Sequence, residues 1–118
     1  MEASDKIAVV HKYVEAFAKQ DINIIKEIFA ADGRVEDPVG TDIHDGIDAI
    51  VAFYENALGS GAKLELTGEA RCAGTAVAFP FQVVMGDSRI DIIDVFYFNH
   101  EGKISDMKAY WGPENFKS

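Results

Sequence analysis

The chain has 118 residues, which suits one domain around one core, and its 48% hydrophobic content is that of a globular protein and not of a disordered one. A formal net charge of −9, with no basic run to offset it, argues against nucleic acid and anionic membrane surfaces as partners. No apolar run approaches the ~20 residues that span a bilayer, no signal-peptide pattern opens the chain, and a single cysteine leaves no intrachain disulfide; a soluble cytoplasmic protein is expected.

The first half reads as helices. Ser4 or Asp5 can cap a helix with Ile7, Val10, Tyr13, Val14 and Phe17 on one stripe at the 3.6-residue period. Gln20-Asp21 ends it, and Asp21 caps a short second helix with Ile24, Ile25, Ile28 and Phe29 inward. Ala31 to Arg34 closes that helix and leads into an extended segment ending at Pro38, whose ring biases Asp37 toward extended backbone. After a loop rich in Gly and Asp, Asp45 or Asp48 starts a third helix carrying Ile47, Ile50, Val51, Tyr54 and Leu58 on its apolar side. Gly59-Ser60-Gly61 stops it.

The second half reads as strands. Lys63 to Thr67 alternates with period two and continues toward Cys72. Thr75 to Met85 is almost wholly apolar, so both its faces are expected to be covered. Gly86-Asp87-Ser88 turns the chain into the strand that ends at Phe98, and Asn99-His100-Glu101-Gly102 makes the next hairpin turn, with Gly102 left-handed. Ile104 to Trp111 is the last strand, ended by Pro113 and a polar tail. Helices followed by antiparallel strands give an α+β fold over residues 1–118: three helices packed on a strongly curved, mostly antiparallel sheet that leaves a conical pocket. A strand with two apolar faces needs a second cover, and another copy of the same sheet is the simplest, so a homodimer is expected.

Motifs for metals and nucleophiles are missing. His11, His44 and His100 fall on a helix, a loop and a turn without i, i+4 partners and read as surface residues; HExxH, CxxC and GxSxG do not occur. Cys72 reads as a buried structural thiol. Two carboxyls are more informative. Asp94 interrupts the run Ile90-Asp91-Ile92-Ile93-Asp94-Val95-Phe96-Tyr97-Phe98, and period two sets it on the face of Ile92, Phe96 and Phe98, where it must be paired or protonated. Asp91 alternates to the opposite face, as Glu36 alternates away from Asp37. Asp37 is either a turn residue or part of a site, and Tyr13 either a core tyrosine or a hydrogen-bond donor that Tyr54 could partner. Carboxyls whose surroundings push their pKa values apart give one site a base and an acid at neutral pH, which points to proton transfer.

Together these residues resemble the ketosteroid isomerases (steroid Δ5-isomerases) of the NTF2-like, SnoaL-like superfamily. The marks are Tyr13 in Lys12-Tyr13-Val14, the segment Ala31-Asp32-Gly33-Arg34-Val35-Glu36-Asp37-Pro38-Val39-Gly40, Phe53-Tyr54, Ile93-Asp94-Val95-Phe96, and Met107-Lys108-Ala109-Tyr110-Trp111. The resemblance implies a cofactor-free conversion of a 3-oxo-Δ5-steroid into its Δ4 isomer. Asp37 would carry the proton from C4 to C6, Tyr13 and a protonated Asp94 would donate to the C3 oxygen, and Tyr54 would orient Tyr13. A carboxylic acid kept neutral by an apolar site is that family's own pattern. Phe53, Phe79, Phe81, Phe96, Met107 and Trp111 would supply apolar walls for a flat substrate. Two departures stand out: Phe29 replaces a further tyrosine of some members, and the stretch between Asp37 and Asp94 is a few residues shorter. The fold also hosts hydratases, cyclases and binding modules, so a sister enzyme on another polycyclic ketone, or a carrier of an apolar ligand, is the alternative.

Overall fold

The computed structural model describes residues 1–117. Helix α1 (Ala3–Lys19) starts slightly earlier than expected, because Glu2 is its N-cap and forms a reciprocal capping box with Asp5. Its buried stripe is Val10, Tyr13, Ala16 and Phe17; Ile7 and Val14 are half-buried, and Lys6 is buried instead. The Lys6 stem covers core while its Nζ donates to the Gly74 carbonyl at 2.5 Å. Asp21 caps α2 (Ile22–Ile28) as read, its Oδ1 accepting from the Asn23 amide at 2.9 Å.

Strand β1 (Phe29–Glu36) follows α2 without a connector, so Ala31 to Arg34 is strand and not loop. This strand is irregular. Phe29 faces Ile104 and Arg34 faces Asp106 on the neighbouring strand, so β1 carries extra residues between two nearly adjacent partners. Gly33 lies in that irregularity, where a Cβ would come 3.0 Å from the Ala30 carbonyl oxygen and 3.2 Å from that of Ile104. A short β2 (His44–Asp45) then pairs back on β1, placing His44 on an ordered edge and not in a free loop. Helix α3 (Ile47–Gly59) is N-capped by Gly46, with Asp48 in its first turn, and buries Ile50, Tyr54 and Leu58.

The run from Lys63 toward Cys72 is two strands, β3 (Lys63–Leu66) and β4 (Arg71–Ala73). Both pair with β5 (Ala76–Met85), β3 at its Phe81–Val84 end and β4 at its Ala76–Ala78 end. Cys72 is half-buried, not a core thiol. A tight turn with Gly86 at φ 57° joins β5 to β6 (Ser88–Phe98), and Gly102, left-handed as expected, closes the turn into β7 (Ile104–Tyr110). Trp111 lies one residue past β7. The polar tail does not leave the sheet: β8 (Phe116–Lys117) returns to pair with Ile90 and Arg89 of β6.

The strand order is β2-β1-β7-β6-β5-β3, with β4 on β5 and β8 on β6. Among the described residues only the β1–β7 pair is parallel. Three helices thus pack on one face of a mixed, curved, open sheet, which is the expected α+β architecture. Along β5, Val77, Phe79 and Phe81 are buried, while Ala78, Pro80 and Gln82 on the outer face are half-buried. One face of β5 is therefore covered within the chain, not both. On β6 the outer face leaves Ile93 50% exposed. No helix of the described residues is long and apolar enough to cross a bilayer.

Candidate active site

Six side chains from five places in the chain converge on one cavity of about 230 Å³: Tyr13 from α1, Phe53 and Tyr54 from α3, Asp94 from β6, and Asp37 and Trp111 from just beyond β1 and β7. The sheet register brings them together. Strand β7 lies between β1 and β6, and Ala109 pairs with Asp94 on one side. On its other side the Ala109 carbonyl accepts from the Val39 amide at 2.8 Å, pinning the segment that carries Asp37. A small, buried side chain at 109 therefore separates the strands that bear the two carboxyls. From Asp94 the lining runs along β6 and β5 through Ile92 and Phe81 to Ile90 and Val83.

Asp94 is 1% exposed, and its Oδ1 is buried without a hydrogen-bond partner. Burial pushes its carboxyl well above the usual carboxylate range; the charge of Asp37 adds to this, and the Tyr13 hydroxyl opposes it. Tyr13 and Tyr54 share a hydrogen bond, hydroxyl to hydroxyl, at 2.9 Å. Burial is the first reason that both phenols sit well above their ordinary value, so both remain neutral hydroxyls at pH 7. The Tyr13 ring is fixed edge-on by Phe96 at 5.1 Å and Phe17 at 5.4 Å. Phe29 packs on Tyr54 with centroids 5.6 Å apart and carries no hydroxyl to extend the pair.

Asp37 is half-buried, and the Trp111 indole Nε1–H donates to its Oδ1 at 2.7 Å. Burial raises this carboxyl too, but the Trp111 hydrogen bond and nearby His44 pull it back. The two aspartates thus differ in kind: one is enclosed without a donor on Oδ1, the other is held by an indole. Glu36 turns away as read, its Oε2 accepting from the Gly40 amide at 2.9 Å.

Phe53, Phe81 and Trp111 line the cavity. Phe79, Phe96 and Met107 do not: they are buried in the core beneath it. Phe79 faces Asp94 across the sheet, and Phe96 and Met107 face each other one step deeper, where the Tyr13 ring lies over Phe79 and Phe96. The sequence reading missed the walls made by Phe17, Leu64, Val83 and Ile90, although alternation from Asp94 leads straight to Ile92 and Ile90. It also missed His44, whose ring tilts against Phe53 with centroids 4.4 Å apart. The described residues hold no group of three or more His, Cys, Asp or Glu arranged for a metal ion.

The SnoaL-like domain model matches residues 10–107. A protein named Steroid Delta-isomerase, from Nocardioides simplex, is 38% identical over 117 residues, covering 96% of this chain and 94% of that protein. Among solved structures, the epoxide hydrolase/cyclase-like enzyme SalBIII, described in pyran ring formation in the polyether salinomycin, superposes with a TM-score of 0.90. It is 25% identical, and the match covers 98% of this chain and 96% of SalBIII.

The burial of Asp94 has a consequence for stability. In the unfolded chain its carboxyl ionises near the ordinary value of about 3.9, whereas the folded protein holds the proton to higher pH. The folded state then binds more protons, so this group lowers stability as pH rises through the ordinary carboxyl range and has no effect below it. Asp94→Asn, which cannot ionise, is expected to gain Tm over the parent progressively from about pH 4 to pH 7. Parallel Tm–pH curves for the two proteins would show that Asp94 ionises freely in the native state.

Proposed function

The chain belongs to the SnoaL-like family, and on that premise we propose that it is a steroid Δ-isomerase, converting 3-oxo-Δ5-steroids to 3-oxo-Δ4-steroids. One arrangement carries the reading: two carboxyls in unlike surroundings and a buried tyrosine, gathered in an otherwise apolar cavity. The likeness to the Nocardioides simplex Steroid Delta-isomerase supports it over nearly the full chain.

In this mechanism the Asp37 carboxylate takes a proton from C4. The C4–H electron pair becomes the C3–C4 double bond, and charge moves to the C3 oxygen of a dienolate. Tyr13 and the protonated Asp94 donate hydrogen bonds to that oxygen, in a water-poor site where such donors count for most. Asp37 then returns the proton to C6; the C5–C6 pair forms the new C–H bond, the double bond settles between C4 and C5, and the C3 carbonyl re-forms. Nothing is oxidised or reduced. Burial lifts the Asp37 carboxyl toward the operating pH, which suits a base that must also give the proton back. Tyr54 orients the Tyr13 hydroxyl. Asp94 to Ile90 spans four residues, about 13 Å of strand at about 3.3 Å per residue, so a flat tetracycle can lie along β6 with ring A at Asp94.

The active form is a homodimer joined through the outer face of the sheet. Ile93, opposite Pro80 and Tyr110, together with Tyr97 gives that face an apolar centre, of the kind a second copy would cover.

Three measurements test these points. Appearance of conjugated-enone absorbance from a 3-oxo-Δ5-steroid should be fast in the parent and about 10²–10⁴-fold slower in Asp37→Asn, with steroid binding retained. Equal turnover would remove Asp37 as the base, and a folded parent that binds the steroid without converting it would shift the reading toward the chemistry described for SalBIII. For Tyr13→Phe, kcat should fall by about 10²–10³-fold; a rise in KM alone would make Tyr13 a binding residue. In sedimentation, Ile93→Glu should turn a dimer into a monomer, and a parent that is already monomeric at micromolar concentration would refute the assembly.

A further inference from the structure

Trp111 meets, edge-on, an aromatic ring of the chain that follows it. Tyr110 faces Ile93 on β6, and Phe116 faces Ile90, so residues 111–115 loop out opposite the short stretch between those partners. The loop closes on itself: the Asn115 amide donates to the Gly112 carbonyl at 2.9 Å, and the Gly112 amide donates to Asn115 Oδ1 at 2.7 Å. Strand β8 then anchors the far end, with Lys117 paired to Asp91 at 2.7 Å. Phe116 stands opposite Ile90, a cavity residue, and meets the Trp111 indole edge-on, with centroids 5.9 Å apart and planes at 72°.

Phe116 is 53% exposed, so neither core packing nor burial explains an aromatic ring there. Its ring contact is with the side chain that, among the described residues, donates to Asp37. We propose that Phe116 is a positioning residue: residues 112–117 form a strap that presses the Trp111 indole against the catalytic base. This rests on Asp37 being that base. The indole is outside the β7 ladder, so without the strap its ring is free to swing, and the Asp37 carboxylate loses its indole donor. Groups that titrate and face Asp37 are His44 from β2, Tyr13 from α1, Tyr54 from α3 and Asp94 from β6.

The chain's only tryptophan is Trp111, so its fluorescence reports on this pair without any steroid. The emission of the full-length protein should titrate with Asp37, and Asp37→Asn should abolish that transition. A donor stabilises the carboxylate, so losing it raises the pKa. Phe116→Ala should therefore move the midpoint upward by as much as about one pH unit, the size of a lost hydrogen bond to a charged group. The acid limb of kcat/KM should move the same way in Phe116→Ala and in Trp111→Phe, while Phe116→Tyr keeps the parental midpoint. An unmoved midpoint in Phe116→Ala overturns the strap, and so does a transition that persists in Asp37→Asn. A moved fluorescence midpoint in a protein that converts no steroid would sink the isomerase reading and leave the strap standing as the support of the Trp111–Asp37 pair.

Discussion

A carboxyl group closed off from water, with an oxygen that meets no donor, is the constraint around which this molecule is arranged. Leaving a charge in such a place costs several kcal/mol, so burial holds the Asp94 proton well above the usual carboxylate range. Those surroundings are aromatic rings that meet edge to face: Tyr13 on Phe79 and Phe96, Phe79 on Phe96. Such packing excludes water, and without water the neighbouring phenols cannot ionise either. A set of neutral hydrogen-bond donors follows from the enclosure alone.

Asp37 shows how the same side chain is made to behave differently a short distance away. It sits past the end of β1, where the chain is half-open, and it has an indole donor and a histidine nearby. The sheet supplies the separation. Because Ala109 stands between the two carboxyl-bearing strands, they are close enough to share a cavity, while each keeps its own polarity. A bulkier residue at 109 would have to take room from the cavity or from the core beneath it.

Much of this was legible from local pattern. The stripe of α1 fixed the direction of Tyr13, alternation on β6 fixed that of Asp94, and the cap at Asp21 marked the start of α2. Alternation states which face a residue takes but not how deep it lies, and for that reason Phe79, Phe96 and Met107 were expected on the cavity wall and are found under it. The features that were not legible depend on partners remote in sequence. Partners on β7 at Phe29 and at Arg34–Glu36 hold the irregular Ala30–Gly33 stretch between them as part of β1, and β6 recruits Phe116–Lys117 from a tail whose composition reads as polar coil. His44 comes to lie against Phe53 because β2 adds to the edge of β1. The helices cover one face of β5 only, and its apolar outer face is left to another cover.

The parallel β1–β7 pair also governs the order in which the site can be built. Val35 meets Met107 and Glu36 meets Lys108, partners about 70 positions apart, and closing so long a stretch of chain is the slow kind of contact to make. Tyr13 and Tyr54 belong to the first half of the chain, but the groups that fix Asp37, the Ala109 carbonyl and the Trp111 indole, are among its last residues. A chain emerging from the ribosome therefore cannot hold Asp37 in place until Ala109 and Trp111 have been made. Any product that stops before Trp111 lacks the indole, so termination there yields protein without a formed site instead of a weakly active fragment.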